Sequence, residues 1–237
     1  MKPSILEYIV CPTCRSDFKL LTKSKLKNEI KEGTLICVKC KDKFKITKGI
    51  PRFVVDVTKD FVRTEMAFSA KWKNHHKNHH AKDWVNWQKN WFLERFGWKS
   101  IKQFNTFLSS QNFILDAGTG IGNSAKMLSI NKSSTVFALD ASDSIDFAYE
   151  KYGKSSNIHF IQADIRQLPF RKTFFDYIFS DQVLHHTKNT STSFKYLKKF
   201  LLVCQKLKRH GTLLLLNIVK RVYSKQHRIR LIQIIIL

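Results

Sequence analysis

Residues 113–122 read Phe-Ile-Leu-Asp-Ala-Gly-Thr-Gly-Ile-Gly, an apolar run that closes on an acid and breaks at once into alternating glycines. A short apolar run bounded by glycine reads as a buried strand. Gly118, Gly120 and Gly122 let the backbone turn sharply there and come close to a ligand. The pattern then repeats. A helix through Ala125, Met127 and Leu128 is followed by a strand at Val136 to Leu139 that ends at Asp140. Ser142 is placed to cap a helix running to Tyr152. Further strands are expected at Ile158 to Ile161, Tyr177 to Phe179 and Leu213 to Leu216, with an amphipathic stripe at Phe194, Leu197, Phe200, Leu201, Cys204 and Leu207. Strands alternating with helices predict an α/β fold: a Rossmann-like parallel sheet covered by helices on both faces.

The glycine spacing narrows the ligand. A dinucleotide turn would place its third glycine at position 123, which is Asn123. An Asp-x-Gly-x-Gly-x-Gly turn instead suits a ligand without pyrophosphate, whose amino-acid end meets both the Asp116 carboxylate and the backbone. Asp140, at the next strand end, is placed to accept from ribose hydroxyls. Asp164, after the third strand, is placed to accept from an adenine amino group, with Ile165 against the ring. A single strand-end aspartate often only caps a helix. Three in order, each closing its own strand, point to an adenosyl cofactor.

Ahead of this unit lie Cys11-Pro-Thr-Cys14 and Cys37-Val-Lys-Cys40. Two such pairs joined by a hairpin fit a four-thiolate zinc site with no open position, and so a structural one. Redox pairs or free buried thiols are the alternatives. A module this small needs metal binding to fold. Ile50 to Val55 reads as an edge strand leaving it, since proline tolerates only edges. The expected organisation is a zinc ribbon over 1–55, a helical aromatic-rich connector over 56–110, and the α/β unit over 111–237. The connector holds all five tryptophans, Trp72, Trp84, Trp87, Trp91 and Trp98. Trp84, Trp87 and Trp91 share a helical face, for core packing or for stacking on bases or an aromatic substrate. His75, His76, His79 and His80 form a solvated helix face or a chance metal site.

The stretches FILDAGTGIGNSAKML, VFALDAS, IHFIQADIRQLPF and FDYIFSDQVLHHT together resemble the class I methyltransferases, in the broad group with a Leu-His-His motif after strand four. With CPTC, CVKC and GIPRFV in front, the chain looks like methyltransferases carrying an N-terminal ribbon similar to the Trm112 family. The resemblance implies S-adenosylmethionine as cofactor. Asp116, Gly118, Gly120 and Gly122 would hold its methionine end, Asp140 and Ala141 its ribose, and Asp164 with Ile165 its adenine, with Ser180 close by. Phe68 to Trp72 resembles a segment lying near the cofactor.

Methyl transfer from a sulfonium is an in-line displacement dominated by positioning. Asp181, His185 and His186 follow strand four at the carboxyl edge, where ligands bind in open α/β sheets. One histidine could deprotonate an acceptor; equally, the histidines could cap the next helix or pack beneath the site. No Asn/Asp-Pro-Pro-aromatic sequence follows strand four, which disfavours methylation of base amines. No cysteine lies there either, and Cys204 falls on an apolar stripe. A small-molecule acceptor is expected. RNA gripped by the ribbon and basic ends is the alternative, and a non-catalytic cofactor-binding remnant a third.

The net charge of +24 suits a polyanion such as RNA or an anionic membrane surface, and equally a genome-wide taste for lysine. No secretory signal and no span long enough for a bilayer are evident, so a cytoplasmic location is expected. After Leu216 too little chain remains for the usual closing helix and hairpin. Ile229 to Leu237 is apolar enough to supply one element; the sheet is expected to be shortened or the chain a fragment, and if the hairpin is missing one edge is left open.

Overall fold

The computed structural model describes residues 1–54 and 90–202, together with the backbone of 217–218 and 233–236. The tryptophans at 72, 84 and 87, the histidines at 75–80, the segment 68–72, Cys204 and the strand expected at 213–216 lie outside them.

The first sheet is antiparallel, in the order β1 (Phe18–Leu26), β2 (Glu29–Cys37), β3 (Lys43–Thr47), β4 (Ile50–Pro51). Phe44 and Ile46 of β3 are buried while Lys43 and Lys45 face out, the alternation of a half-buried strand. The predicted edge strand at Ile50 to Val55 is shorter than expected. β4 ends at Pro51, and Arg52 then forms a parallel bridge with Gln162 of the second sheet.

That second sheet has the order β7-β6-β5-β8-β10-β9. Its members are β5 (Phe113–Ala117), β6 (Thr135–Asp140), β7 (Ile158–Gln162), β8 (Tyr177–Asp181), β9 (Asn217–Ile218) and β10 (Gln233–Ile236). β5, β6, β7 and β8 run parallel, as predicted. The expected open edge beside β8 is instead taken by β10, paired antiparallel, with β9 beyond it. The apolar run at the end of the chain supplies hydrogen bonds that β8 would otherwise lack.

Every residue of β7 is buried, because this sheet is covered on both faces. One face packs Ile114, Val136, Ala138, Phe160 and Phe179 against helices α1 (Ile101–Ser109), α2 (Asn123–Leu128) and α3 (Ser144–Tyr152). Trp98 joins this side, its ring 5.1 Å from Phe104 and 5.0 Å from Phe107, whereas Trp91, the described member of the expected stripe, is exposed and not in the core. The other face packs Leu115, Phe137, Leu139, Ile161 and Ile178 with helix α4 (Thr190–Lys198). It is also covered by Ile5 and Ile9 of the N-terminal segment, in one cluster with Leu35, Cys37 and Phe44. The ribbon core is therefore continuous with the sheet core. Tyr8 sits at the junction, 5.4 Å from the rings of both Phe113 and Phe137.

Two capping expectations need adjusting. The cap residue of α3 is Asp143, with no side-chain cap bond, while the Ser142 hydroxyl accepts from the Ser144 N–H at 3.3 Å. Helix α4 is capped by the Asn189 side chain, which accepts from Thr192 N, and not by the histidines before it.

Candidate active site

Asp116 lies near the end of β5 with 1% of its surface exposed. Its Oδ2 accepts from the Thr119 hydroxyl at 2.6 Å and the Ser124 hydroxyl at 2.7 Å. The carboxyl so holds the glycine turn closed from inside. Gly118 and Gly122 have φ of +90° and +83°, the region where glycine is favoured. A Cβ on Gly118 would come within 2.2 Å of Val183 Cγ2, so the loop after β8 rests directly on the turn. The turn is stitched to β6 as well. Gly118 N and Thr119 N donate to Leu139 O, and Gly120 N donates to Asp140 Oδ2 at 2.8 Å. The other Asp140 oxygen accepts from Ser142 N and Oγ.

Burial pushes the Asp116 carboxyl up to about 7, against the pull of the Thr119 and Ser124 hydroxyls. A folded-state pKa above the unfolded value means full stability below an ordinary carboxylate pKa of about 4, lost as pH rises through about 7. Asp116→Asn keeps an oxygen for both hydroxyls and removes the titration. The variant should therefore gain stability relative to the parent as pH rises from about 4 to about 7, with a constant difference above. Chemical unfolding of both proteins across that range measures it, and parallel pH profiles would refute the assignment.

At the tip of β7, Asp164 is paired with Arg166. The guanidinium Nε donates to both carboxylate oxygens at 3.0 Å, and Arg166 N donates to Oδ1 at 2.7 Å. Ile165 is buried in the core cluster that holds Leu168 and Leu184. Ala141 accepts at its carbonyl from Gln162 Nε2. Ser180 is buried and donates to Ala117 O at 2.9 Å, tying β8 to β5. The structure thus brings Asp116, the glycines and Asp140 into one hydrogen-bonded unit, and stands Asp164 two residues past the β7 position paired with Asp140.

Across β8, Asp181 accepts from Arg95 Nη2 at 2.9 Å, with side-chain exposures of 16% and 13%. Arg95 also lies over the Trp91 ring at 4.8 Å. His185 and His186 form a short 3-10 turn with ring centroids 3.8 Å apart. His185 Nδ1 is buried without a hydrogen-bond partner, and burial lowers the pKa of the ring, offset in part by Asp181. Sequence reasoning missed Arg95, Arg166, Thr119 and Val183. Thr119, Arg166 and Val183 fall inside the quoted stretches, whereas Arg95 lies outside them and its partner is 86 residues away in sequence.

In the ribbon, the four cysteine sulfurs lie within 4.8 Å of one another. Cys11 and Cys40 are 3.5 Å apart, Cys14 and Cys37 3.3 Å, and Cys14 and Cys40 3.5 Å. Sulfurs around a tetrahedral zinc at about 2.3 Å would stand roughly 3.8 Å apart, so this donor set fits such an ion. The two knuckles mirror each other. Arg15 and Lys41, each directly after the second cysteine of its pair, both have left-handed φ, at 64° and 65°. None of the four cysteines is in a disulfide.

In comparison with known proteins, residues 115–214 match the family model described as methyltransferase domain, and residues 2–49 match the one described as Trm112p-like protein. No curated protein matches the chain. Among solved structures, a SAM dependent methyltransferase from Aquifex aeolicus aligns at 21% identity, over 43% of this chain and 58% of its own, with a TM-score of 0.38. The YcgJ protein from Bacillus subtilis aligns at 20% identity, over 43% of this chain and 45% of its own, also with a TM-score of 0.38. The chain spans about half the length of these two structures. Among the described residues, no helix is long and apolar enough to cross a membrane.

Proposed function

We propose, for a chain that joins a Trm112p-like module to a methyltransferase domain, that it is an S-adenosylmethionine-dependent methyltransferase acting on a small molecule. The observation that carries this reading is the unit formed by Asp116, the left-handed glycines and Asp140 at adjoining strand ends. Bound there, S-adenosylmethionine would supply a methyl group activated by its sulfonium. The glycine turn would take the methionine end, Asp140 and Ala141 the ribose, and Asp164 with Ile165 the adenine. Asp164 would have to release part of its Arg166 pairing to do so. Ser180 supports the site from beneath by joining β5 to β8. The four thiolates hold zinc as a structural ion.

Asp181 closes β8 and the two histidines follow it in the short 3-10 turn; these would attend the acceptor. Burial keeps His185 neutral near pH 7, the state in which an imidazole can accept a proton from an acceptor hydroxyl or amine. Asp181, held by Arg95, faces developing positive charge on that ring.

RNA as the acceptor is the second reading, favoured by the outer face of the ribbon. Cross-strand register places Lys19 beside Ile36 and Lys43, and Leu21 beside Thr34 and Lys45, so three exposed lysines share one sheet face. Phosphate contacts of this kind need no base readout.

One experiment separates the readings. The protein is incubated with methyl-labelled S-adenosylmethionine and cell extract, and the products are fractionated with and without ribonuclease. Label in the small-molecule fraction is the expected result. Ribonuclease-sensitive polymer label would establish the RNA reading in its place. Cofactor binding with no label in any fraction would mark a non-catalytic remnant.

A further inference from the structure

Arg52 is one of several residues by which the ribbon reaches the second sheet. Arg52 leaves β4 and extends over the end of β7. Its Nη1 donates to Gln162 Oε1 at 2.7 Å, and its Nη2 donates to Asp146 Oδ1 at 2.8 Å. The next residue, Phe53, donates its N–H to Gln162 O at 2.7 Å. Gln162 is 7% exposed. Its Nε2 donates onward to Ala141 O and to Asp143 Oδ1, both at 3.1 Å.

An amide group has one accepting end and one donating end. Because Arg52 can only donate, it obliges Gln162 to present its oxygen to the ribbon and its NH2 to residues 141–143. Those residues carry the backbone away from Asp140, and Gln162 itself pairs with Asp140 in the β6–β7 ladder. Ala163 N then donates to Asp140 O at 3.0 Å, one residue before Asp164. Both acids assigned to the adenosine half of the cofactor therefore hang on a peptide frame whose orientation is set from the ribbon.

We propose that Arg52 is a positioning residue for the cofactor: acting through Gln162, it holds the 141–143 turn and the tip of β7 in the arrangement that receives adenosine. Arg52 is given no direct contact with the cofactor, and the proposal rests on the cofactor reading above. It makes the ribbon part of the binding site's framework as well as a cover for one face of the sheet.

The test is titration of S-adenosylhomocysteine by calorimetry into the full chain and three variants, each with its thermal midpoint measured. Arg52→Ala should weaken binding about tenfold, the scale of one oriented charge-assisted hydrogen bond. Arg52→Lys, which can serve Gln162 or Asp146 but not both, should fall between the two. Lys2→Ala is the control for the interface alone. Lys2 bonds the carbonyls of Ser155, Ser156 and Ile158 at the opposite end of β7, so its loss should lower the midpoint and leave the affinity unchanged. Equal weakening by Lys2→Ala and Arg52→Ala would reduce Arg52 to an interface contact and overturn the proposal. Unchanged affinity in Arg52→Ala would do the same; if that variant does not fold, unchanged affinity in Arg52→Lys decides it. Absence of binding to the parent chain would instead remove the cofactor reading itself.

Discussion

Stripping metal from this protein, or replacing Cys37 by serine, should unfold far more than the ribbon. Cys11 and Cys37 are fully buried and belong to the same apolar cluster as Leu115, Phe137 and Ile178 of the large sheet. A segment the size of residues 1–54 buries too little apolar surface to fold alone. Its order would come from two sources, an ion held by the four thiolates and the large sheet beneath it. Structural zinc sites of this type bind with about 10 kcal/mol or more. Without the ion, the left-handed knuckles at Arg15 and Lys41 would keep only local hydrogen bonds such as Arg15 N to Cys11 O and Cys37 N to Asp42 O. Ile5, Ile9 and Tyr8 would then lose the packing that keeps them on Phe113 and Phe137. The parent protein should contain one zinc per chain and unfold in a single transition. Chelation or Cys37→Ser should lower the midpoint by on the order of 10 °C and expose apolar surface to a hydrophobic dye. Metal analysis showing no zinc in the parent, or a Cys37→Ser variant with an unchanged midpoint, would sink this account. Two separate transitions in the parent would show that the cores are not coupled.

Gly118→Ala should cost nearly as much, from a single methyl group. Two penalties combine at this position. Its φ of +90° lies where alanine is strained, by about 1–2 kcal/mol. The added Cβ would also stand 2.2 Å from Val183 Cγ2 and 2.7 Å from Cγ1, which the rest of the fold does not let withdraw freely. Leu184 behind Val183 is buried at 2% exposure and anchors that loop in the core. Overpacking of this kind costs about 1–3 kcal/mol, so the total loss is about 2–5 kcal/mol, with cofactor binding lost alongside. The two causes can be told apart. In Gly118→Ala with Val183→Ala, both γ-methyl groups are gone and most of the steric part should be recovered, although the Cβ at position 183 stays 2.9 Å away, while the backbone part stays. Urea unfolding of the two single variants and the double variant gives a coupling energy. Strict additivity would mean that Val183 is not what excludes a side chain from this turn.

How much of this could be read beforehand depended on sequence distance. The knuckles and the glycine turn are local patterns, and their chemistry follows from spacing. Strand starts were legible to the residue at Phe113, Ile158 and Tyr177, because a strand buried on both faces is apolar from its first position. Strand ends ran one or two residues longer, through Ala117, Asp140, Gln162 and Asp181, since polar residues at the carboxyl edge still pair in the ladder. The run at 229–237 was legible as one element, but its antiparallel place beside β8 was not foreseen, since an apolar run carries no direction by itself. Nor was the pairing of Arg52 with Gln162, across 110 residues.

Spacing along the chain, then, dictated which groups this protein has to offer: four thiols that converge through two short turns, and acids that each close an apolar strand. Both follow from the geometry of a few bonded neighbours. Which of those groups are bound to one another was settled by packing. Asp116 turns inward onto Thr119 and Ser124, Val183 closes over Gly118, Arg95 meets Asp181, and the ribbon shares its core with the sheet. Contacts of that kind join residues that no local rule connects, and they arise only when the whole chain buries its apolar surface in one arrangement.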